Sequence, residues 1–266
     1  MSFLNKAIAS AGFGSAKVDT HLDSQKVCKG EQVTGFISIL GGKTEQRVSK
    51  VSLVLMAYAD DEEDSPKKRK SIEHSRFDIA QDVQIKPNVA IEVPFSFVLP
   101  NDTPVSFQNN MIWLETSLDI KMAIDPSNKN YLHVIPHPFM QRILDILQKE
   151  LKFVLTNCGN VYIPNNGSHL PIVQVFEFNP TLRLIDCLDE IKMIFFVDDL
   201  RGLEIVLEFP KKVPGSQEYV HKASAMADNI LQFLIPKKDF EKDNNSLADL
   251  LLQNIMRHLN GSEVKS

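Results

Sequence analysis

The sequence predicts an all-β protein made of two β-sandwich domains. The chain has 266 residues, which exceeds the roughly 100 to 130 residues of one sandwich and suits two. From Ala16 onward, apolar and polar residues alternate with a period of two in successive runs. That period is typical of strands that bury one face. Turn-forming residues separate the runs, and no helical segment lies between those of the first half.

The strands of the first half follow from this alternation. Val33 to Ile39 has one apolar face, whereas Val48 to Tyr58 is apolar on both faces, which predicts a strand covered on both sides. Val89 to Leu99 carries large apolar residues at every second position, so they lie on one face of the strand. Pro94 lies within this run, and because proline cannot donate to a sheet ladder, it predicts a sheet edge or a bulge. The charged stretch Asp60 to Lys70 predicts a solvated hairpin loop.

Two prolines mark the predicted boundary between the domains, in the sequence Ile135-Pro136-His137-Pro138. The next apolar residues recur at spacings of three and four from Phe139 to Leu151, which predicts a short junction helix. Strands then return, and they predict a second, smaller sandwich. The predicted domains are residues 1–136, 137–236 and 237–266. The predicted strands of the second domain are Leu151 to Leu155, Ile172 to Phe178, Leu182 to Cys187, Glu190 to Val197 and Leu203 to Phe209.

The last segment, 237–266, is predicted to be a polar linker followed by an amphipathic helix. Ser246 is a candidate N-cap and Gly261 a candidate stop. The apolar stripe of this helix either docks on the rest of the chain as a latch or binds a partner protein, and the pattern leaves both open. Its residues are Leu247, Leu250, Leu251, Ile255 and Leu259.

Composition and motifs argue against several functional classes. The net charge of -5, without a basic face, argues against a nucleic-acid partner. Three widely spaced cysteines indicate neither a disulfide framework nor a zinc site, and a reducing cytoplasm is expected. No apolar run approaches the roughly 20 residues of a membrane-spanning helix. The common nucleophile, zinc-protease and phosphate-loop motifs are missing, so no catalytic residue, cofactor site or metal site is predicted.

One charged group remains a candidate site. Asp119, Lys121 and Asp125 alternate along a predicted strand and its following turn. The first two side chains share one face of the strand. They are interpreted either as a polar cluster between the two domains or as exposed cross-strand pairs, which contribute little.

Several motifs resemble the bacterial sporulation-control proteins, a branch of the arrestin clan. The run Pro94 to Pro100, followed by Pro104, Ser106 and Phe107, is similar to a pattern of arrestin N-domains. The match to the sporulation-control proteins covers nearly the whole chain in order and weakens after about Phe209. It rests on SFLNKAIASAGFGSAKVDT at residues 2–20, GGKTEQ at 41–46, SLDIKMAIDP at 117–126, PHP at 136–138 and IVQVFEF at 172–178.

The resemblance implies two arrestin-like sandwiches, a cytoplasmic location and no known catalytic activity. It also implies a regulatory influence on sporulation or the cell cycle through contacts with other proteins, so this is a predicted adaptor. The alternative is a peripheral membrane or trafficking scaffold, by analogy with the wider clan. The identity of the partner, self-association and the sporulation of the source organism stay open.

Overall fold

A computed structural model of the chain describes residues 16–61, 68–108, 110–120, 129–163, 171–180, 188–209 and 229–263. These residues are mostly β-strand. The chain divides into two units. The N-terminal unit comprises Met1–Ile135 and Tyr162–Ile172, and the C-terminal unit comprises Pro136–Val161 and Val173–Ser266. The predicted all-β class is confirmed.

Two sheets form the N-terminal unit. One has three strands in the order β1-β3-β6, and the other has the order β5-β4-β7-β8-β2. Neighbouring strands run antiparallel except β2 and β8, which are parallel. The strands are β1 (Lys17–Leu22), β2 (Lys26–Cys28), β3 (Gln32–Leu40), β4 (Gln46–Asp61), β5 (Lys68–Ile85), β6 (Ala90–Val98), β7 (Ile112–Ile120) and β8 (Lys129–Ile135).

The core of the N-terminal unit lies between these two sheets. Inward-facing residues of β3 and β6 in one sheet share a hydrophobic cluster with residues of β4, β7 and β8 in the other. The rings of Phe77 on β5 and Phe97 on β6 stack at 3.9 Å. Pro94 lies on β6, an edge strand of the three-stranded sheet, so the edge position predicted from this proline is confirmed.

The hairpin between β4 and β5 has longer strands than the sequence predicted. β4 continues to Asp61 and β5 begins at Lys68, so the predicted loop Asp60 to Lys70 is wrong at both ends. Residues 62–67 lie outside the described residues. The first part of β5 was missed because it is mostly exposed and polar. Its strand conformation comes from pairing with β4, not from burying a face.

The C-terminal unit combines one sheet with helical segments. Its strands are ordered β13-β12-β11-β10-β9. Helix α1 packs against β11 and β12, and the junction helix is therefore found where the sequence predicted one. The elements are α1 (Pro138–Asp145), a π-helical segment (Ile146–Glu150), β9 (Val154–Tyr162), β10 (Ile172–Asn179), β11 (Ile191–Asp198), β12 (Gly202–Glu208), β13 (Ile230–Pro236), a 3-10 helix (Lys237–Glu241) and α2 (Asn244–Glu263).

Within the described part of the C-terminal unit there is one sheet. The predicted strand Leu182 to Cys187 lies outside the described residues, so a second sheet facing this one stays a prediction. Strand β13 was not predicted. It pairs antiparallel with β12 along its whole length, from Gly202↔Pro236 to Glu208↔Ile230.

Gly202, the first residue of β12, has a backbone conformation that suits glycine alone. Its φ is +130°, and a Cβ atom at this position would lie 2.1 Å from the carbonyl oxygen of Ile235. Any other residue would therefore strain the backbone and push β13 away. This glycine ends the turn that joins β11 to β12.

Candidate functional site

Helix α2, the predicted amphipathic helix, begins and ends differently from the prediction. Asp243 caps it: Asp243 Oδ1 accepts from the Ser246 N–H at 3.0 Å, and Oδ2 accepts from the Ser246 hydroxyl at 2.7 Å. These bonds to Ser246 lower the pKa of Asp243 below the ordinary 3.8. Ser246 therefore lies inside the first turn and is not the N-cap. The helix continues past Gly261 to Glu263.

The apolar stripe of α2 is only partly accessible. Leu247, Leu251 and Ile255 are buried, whereas Leu250 and Leu259 are half-buried. Helix α2 packs against the π-helical segment, whose Ile146 and Leu147 are also buried. Burying such side chains contributes about 1.5–3 kcal/mol each. The described conformation thus docks this stripe within the C-terminal unit.

Arg142 on α1 fixes the chain just before α2. Its Nε donates to the side-chain oxygen of Asn244 at 2.9 Å. Its Nη1 and Nη2 donate to the carbonyl oxygens of Phe240 and Lys242. A guanidinium group offers several donors in one plane, so a single side chain can hold three acceptors of one turn. We call Arg142 with these three acceptors the arginine clamp.

Aromatic contacts accompany the clamp. The rings of Phe139 on α1 and Phe240 in the 3-10 helix stack at 4.3 Å. Farther along α2, His258 stacks on Phe209 at 5.2 Å. The stretch predicted as a polar linker is thus held on α1 by the hydrogen bonds of Arg142 and by the stacking of Phe240 on Phe139.

His137 forms the start of α1. Its Nδ1 accepts from the Phe139 N–H at 3.2 Å, and its Nε2 lies 3.1 Å from Asp199 Oδ1. Because Nδ1 accepts, the neutral ring carries its hydrogen on Nε2 and donates it to Asp199. Pro138 follows at the first helical position, where a missing N–H costs nothing. His137, which lies at the predicted domain boundary, is thus a helix cap.

The predicted cluster of Asp119, Lys121 and Asp125 is only partly described. Asp119 is exposed on β7 and stands opposite Lys50 on β4. Lys50 Nζ lies 2.8 Å from Asp78 Oδ2 on the other neighbouring strand, β5. Lys121 and Asp125 lie outside the described residues. The cluster therefore stays a prediction.

A second charged group, missed from the sequence, surrounds His74 in the N-terminal unit. His74 is the extra residue of a β-bulge, because Leu55 pairs with Ser75 whereas Met56 pairs with Glu73. Its imidazole is almost fully buried, and Nε2 lies 3.8 Å from Asp102 Oδ1. Burial lowers the pKa of His74 below 6.5; Asp102 opposes this shift and the buried Lys29 adds to it. The seven histidines of the chain are scattered, and no regular spacing in the sequence marks His74 as part of a charged group.

The described residues show neither a metal site nor a membrane-spanning helix. They contain no group of three or more His, Cys, Asp or Glu side chains placed to hold a metal ion. They also contain no helix that is both long and apolar enough to span a bilayer.

Comparisons of the sequence and of the structure with known proteins all match the same family. Residues 4–213 match the sequence model of the Spo0M family, described as SpoOM protein. The chain is 32% identical over 253 residues to the sporulation-control protein spo0M of Bacillus subtilis (strain 168), covering 94% of this chain and 96% of that protein. The crystal structure of Spo0M, sporulation control protein, from Bacillus subtilis is similar with a TM-score of 0.81 and 28% identity, covering 92% of this chain and 99% of that one. The chain belongs to the Spo0M family.

Proposed function

We propose that the chain is a non-enzymatic regulatory protein of the cytoplasm that acts in sporulation control through contacts with other proteins. The observation that carries the proposal is the 32% identity to a sporulation-control protein over 94% of this chain. The arrangement of the C-terminal unit supports the mechanism, because α2 is held by its buried apolar stripe and by the arginine clamp, and release of these contacts would uncover an apolar surface for a partner.

Complementation in Bacillus subtilis tests the coarse part of this proposal. A strain that lacks its own Spo0M would express this chain, and heat-resistant spores would be counted. We expect spore counts closer to those of the parent strain. Counts equal to the deletion strain, with the protein present at the parental level, would argue against a shared regulatory role.

Affinity capture from the source cells tests the protein-contact mechanism. The tagged full chain would be compared between growing and nutrient-starved cells with an Arg142→Gln variant. A truncation before α2 is unsuitable, since it would uncover the apolar surface under Leu247 and Leu251. Lys149→Gln is the matched control: it removes a cation from the same helical region, one that is 70% exposed and pairs with Asp145 four residues earlier.

We expect specific proteins to be captured, in amounts that change with growth state and with loss of the arginine clamp but not with Lys149→Gln. Recovery of the chain in the membrane fraction, with no protein above background, would instead favour the peripheral scaffold.

A further inference from the structure

The sheet β5-β4-β7-β8-β2 of the N-terminal unit carries aromatic side chains on its outer face. Ile112 and Leu114 on β7 and Leu132 on β8 belong to the core, so the residues that alternate with them point outward. Trp113 and Tyr131, which stand directly opposite each other on β7 and β8, are two of these outward residues. The outer face of an antiparallel sheet is usually polar, so aromatic side chains there suggest a binding surface.

Three rings on three neighbouring strands form a row across this face. The ring centroid of Tyr58 on β4 lies 4.8 Å from that of Trp113, which lies 6.3 Å from that of Tyr131. Tyr131 is 52% exposed. Met111, two residues before Trp113 and therefore on the same face, is 44% exposed. We call Tyr58, Trp113, Tyr131 and Met111 the aromatic patch.

Trp113 contributes a buried donor that lacks an acceptor. The residue is 1% exposed, and its Nε1 has no hydrogen-bond partner in any part of the chain that the structure describes. An indole N–H can only donate. A buried donor without an acceptor is unfavourable, and nearly all buried polar groups of proteins are paired. A ligand that brings an acceptor to this nitrogen would therefore be favoured.

Two long cationic side chains lie over the rings. Lys129 Nζ is 5.1 Å from the ring centroid of Trp113, and the guanidinium carbon of Arg69 is 5.3 Å from that of Tyr58. Lys129 is exposed and has a flexible four-carbon stem. It can turn away from the indole while the backbone stays in place. One face of the indole is thus covered by a side chain that a ligand can displace.

The charges around the aromatic patch favour an uncharged ligand. Glu115 stands directly opposite Lys129, and Asp60 stands directly opposite Arg69. Directly opposite residues share one face of a sheet, so each cation has a carboxylate as its neighbour. A surface balanced in this way favours neither an acidic peptide nor an anionic bilayer, since each requires an excess of cations. The ligand is expected to bind through ring packing and an acceptor for the indole.

We propose that the aromatic patch binds a proline-rich segment of another protein in the polyproline II conformation. Such segments bind surfaces lined by aromatic rings. They have no internal hydrogen bonds, so their carbonyl oxygens are available to the Trp113 N–H. They are also extended before they bind, which lowers the entropic cost of binding. This inference rests on the proposed function as a protein that acts through contacts with other proteins.

Titration of the full chain with decaproline tests the site. The chain has one tryptophan, so its indole N–H gives a single NMR resonance that reports on Trp113 alone. We expect this resonance to shift downfield and to saturate, because the N–H gains an acceptor. The fluorescence of Trp113 should change over the same range of peptide concentration. A decapeptide of alternating glycine and serine is the control and should change neither signal.

Two variants locate the contact. Tyr131→Ser removes an exposed ring and should weaken decaproline binding by about tenfold or more, as expected for an aromatic residue at the centre of a contact. Val98→Ser changes a residue that is 60% exposed on the other sheet and should leave the affinity unchanged. The urea midpoints of both variants check that the fold is kept.

The outcomes distinguish this inference from the proposed function. An indole resonance that does not move at millimolar decaproline would overturn the inference, whereas specific proteins recovered by affinity capture would leave the regulatory role standing. A shift that is kept in full in Tyr131→Ser would place the peptide elsewhere and would also overturn it. A shift caused by phosphatidylglycerol vesicles and not by decaproline would overturn it in favour of a membrane contact.

Discussion

The two units bury their apolar residues in different ways. The N-terminal unit places its core between two sheets, so each inward side chain is covered by strands distant in sequence. The C-terminal unit covers its sheet with α1, and α2 packs on the π-helical segment next to it. Strand ladders distribute their stabilisation over many backbone bonds, whereas α2 depends on an apolar stripe and a few side-chain contacts. The helical cover should therefore be easier to loosen than the sandwich.

The largest effect is expected in the sandwich core. Leu53 on β4 is 0% exposed, and Leu53→Ala should destabilise the N-terminal unit by about 2–5 kcal/mol through lost burial and a cavity. Urea unfolding followed by the fluorescence of Trp113 measures this unit, because the chain has one tryptophan and it lies on β7. Val98→Ala, at an exposed position of β6, should change the stability by less than about 0.5 kcal/mol. Equal effects of the two variants would contradict the two-sheet core.

A smaller and more local effect is expected from the arginine clamp. Arg142→Gln removes three charged hydrogen bonds and should destabilise the attachment of α2 by about 1.5–3 kcal/mol. Hydrogen exchange of the α2 amides measures this loss, and Lys149→Gln is the control. The Trp113 unfolding transition should stay unchanged. A shift of that transition by the same amount would show that the two units unfold together. It would contradict the view that the helical cover loosens more easily than the sandwich.

The buried histidine makes the sandwich sensitive to acid. Because the pKa of His74 is lower in the folded chain than its ordinary 6.5, the unfolded chain binds the proton more readily. Its contribution to stability is present above the ordinary pKa and is lost as the pH falls below it. Between about pH 7.5 and about pH 5.5, the urea midpoint of Trp113 fluorescence should fall more for the wild type than for His74→Gln. Equal falls would show that this site does not set the acid response.

The smallest effect concerns the cap of α2. Asp243 has a lowered pKa because it accepts bonds from Ser246, so its contribution is present above about the ordinary carboxyl pKa and is lost as the pH falls through the lower, folded value. The chemical shift of the Ser246 amide should titrate with a midpoint below 3.8. In Asp243→Asn, which keeps a capping oxygen without a charge, the same amide should not titrate. A titration that persists in this variant would assign the effect to another group.

The sequence predicted the strands that bury one face and missed those that do not. Alternation located β3 and β6, because burial of one face imposes a period of two. The run Val48 to Tyr58, apolar on both faces, located most of β4. The first half of β5 escaped because it is polar and is held by its neighbour. Strand β13 had a signal, the seven-residue run Ile230 to Pro236 ending in proline, which was not used.

The candidate site was less predictable than the fold. The apolar stripe of α2 was visible from spacing alone, and its buried members Leu247, Leu251 and Ile255 are among those predicted. The arginine clamp joins residues about one hundred positions apart, and no local pattern marks such a contact. The prediction of Ser246 as the N-cap was wrong by one turn, because Asp caps helices as well as Ser does and only the backbone position distinguishes Asp243 from Ser246.

The π-helical segment also bears on how Spo0M relatives should be aligned. A π turn closes with i→i+5 bonds, so it holds about one residue more than an α turn. Loss of one residue from Ile146–Glu150 would therefore restore an ordinary turn and leave the residues that follow in nearly the same orientation. Phe153, whose N–H donates to the carbonyl oxygen of Leu147 at 2.8 Å, would keep its buried place. A family member with a one-residue gap here is therefore expected to keep the fold of this unit, and alignments should place the gap within this segment.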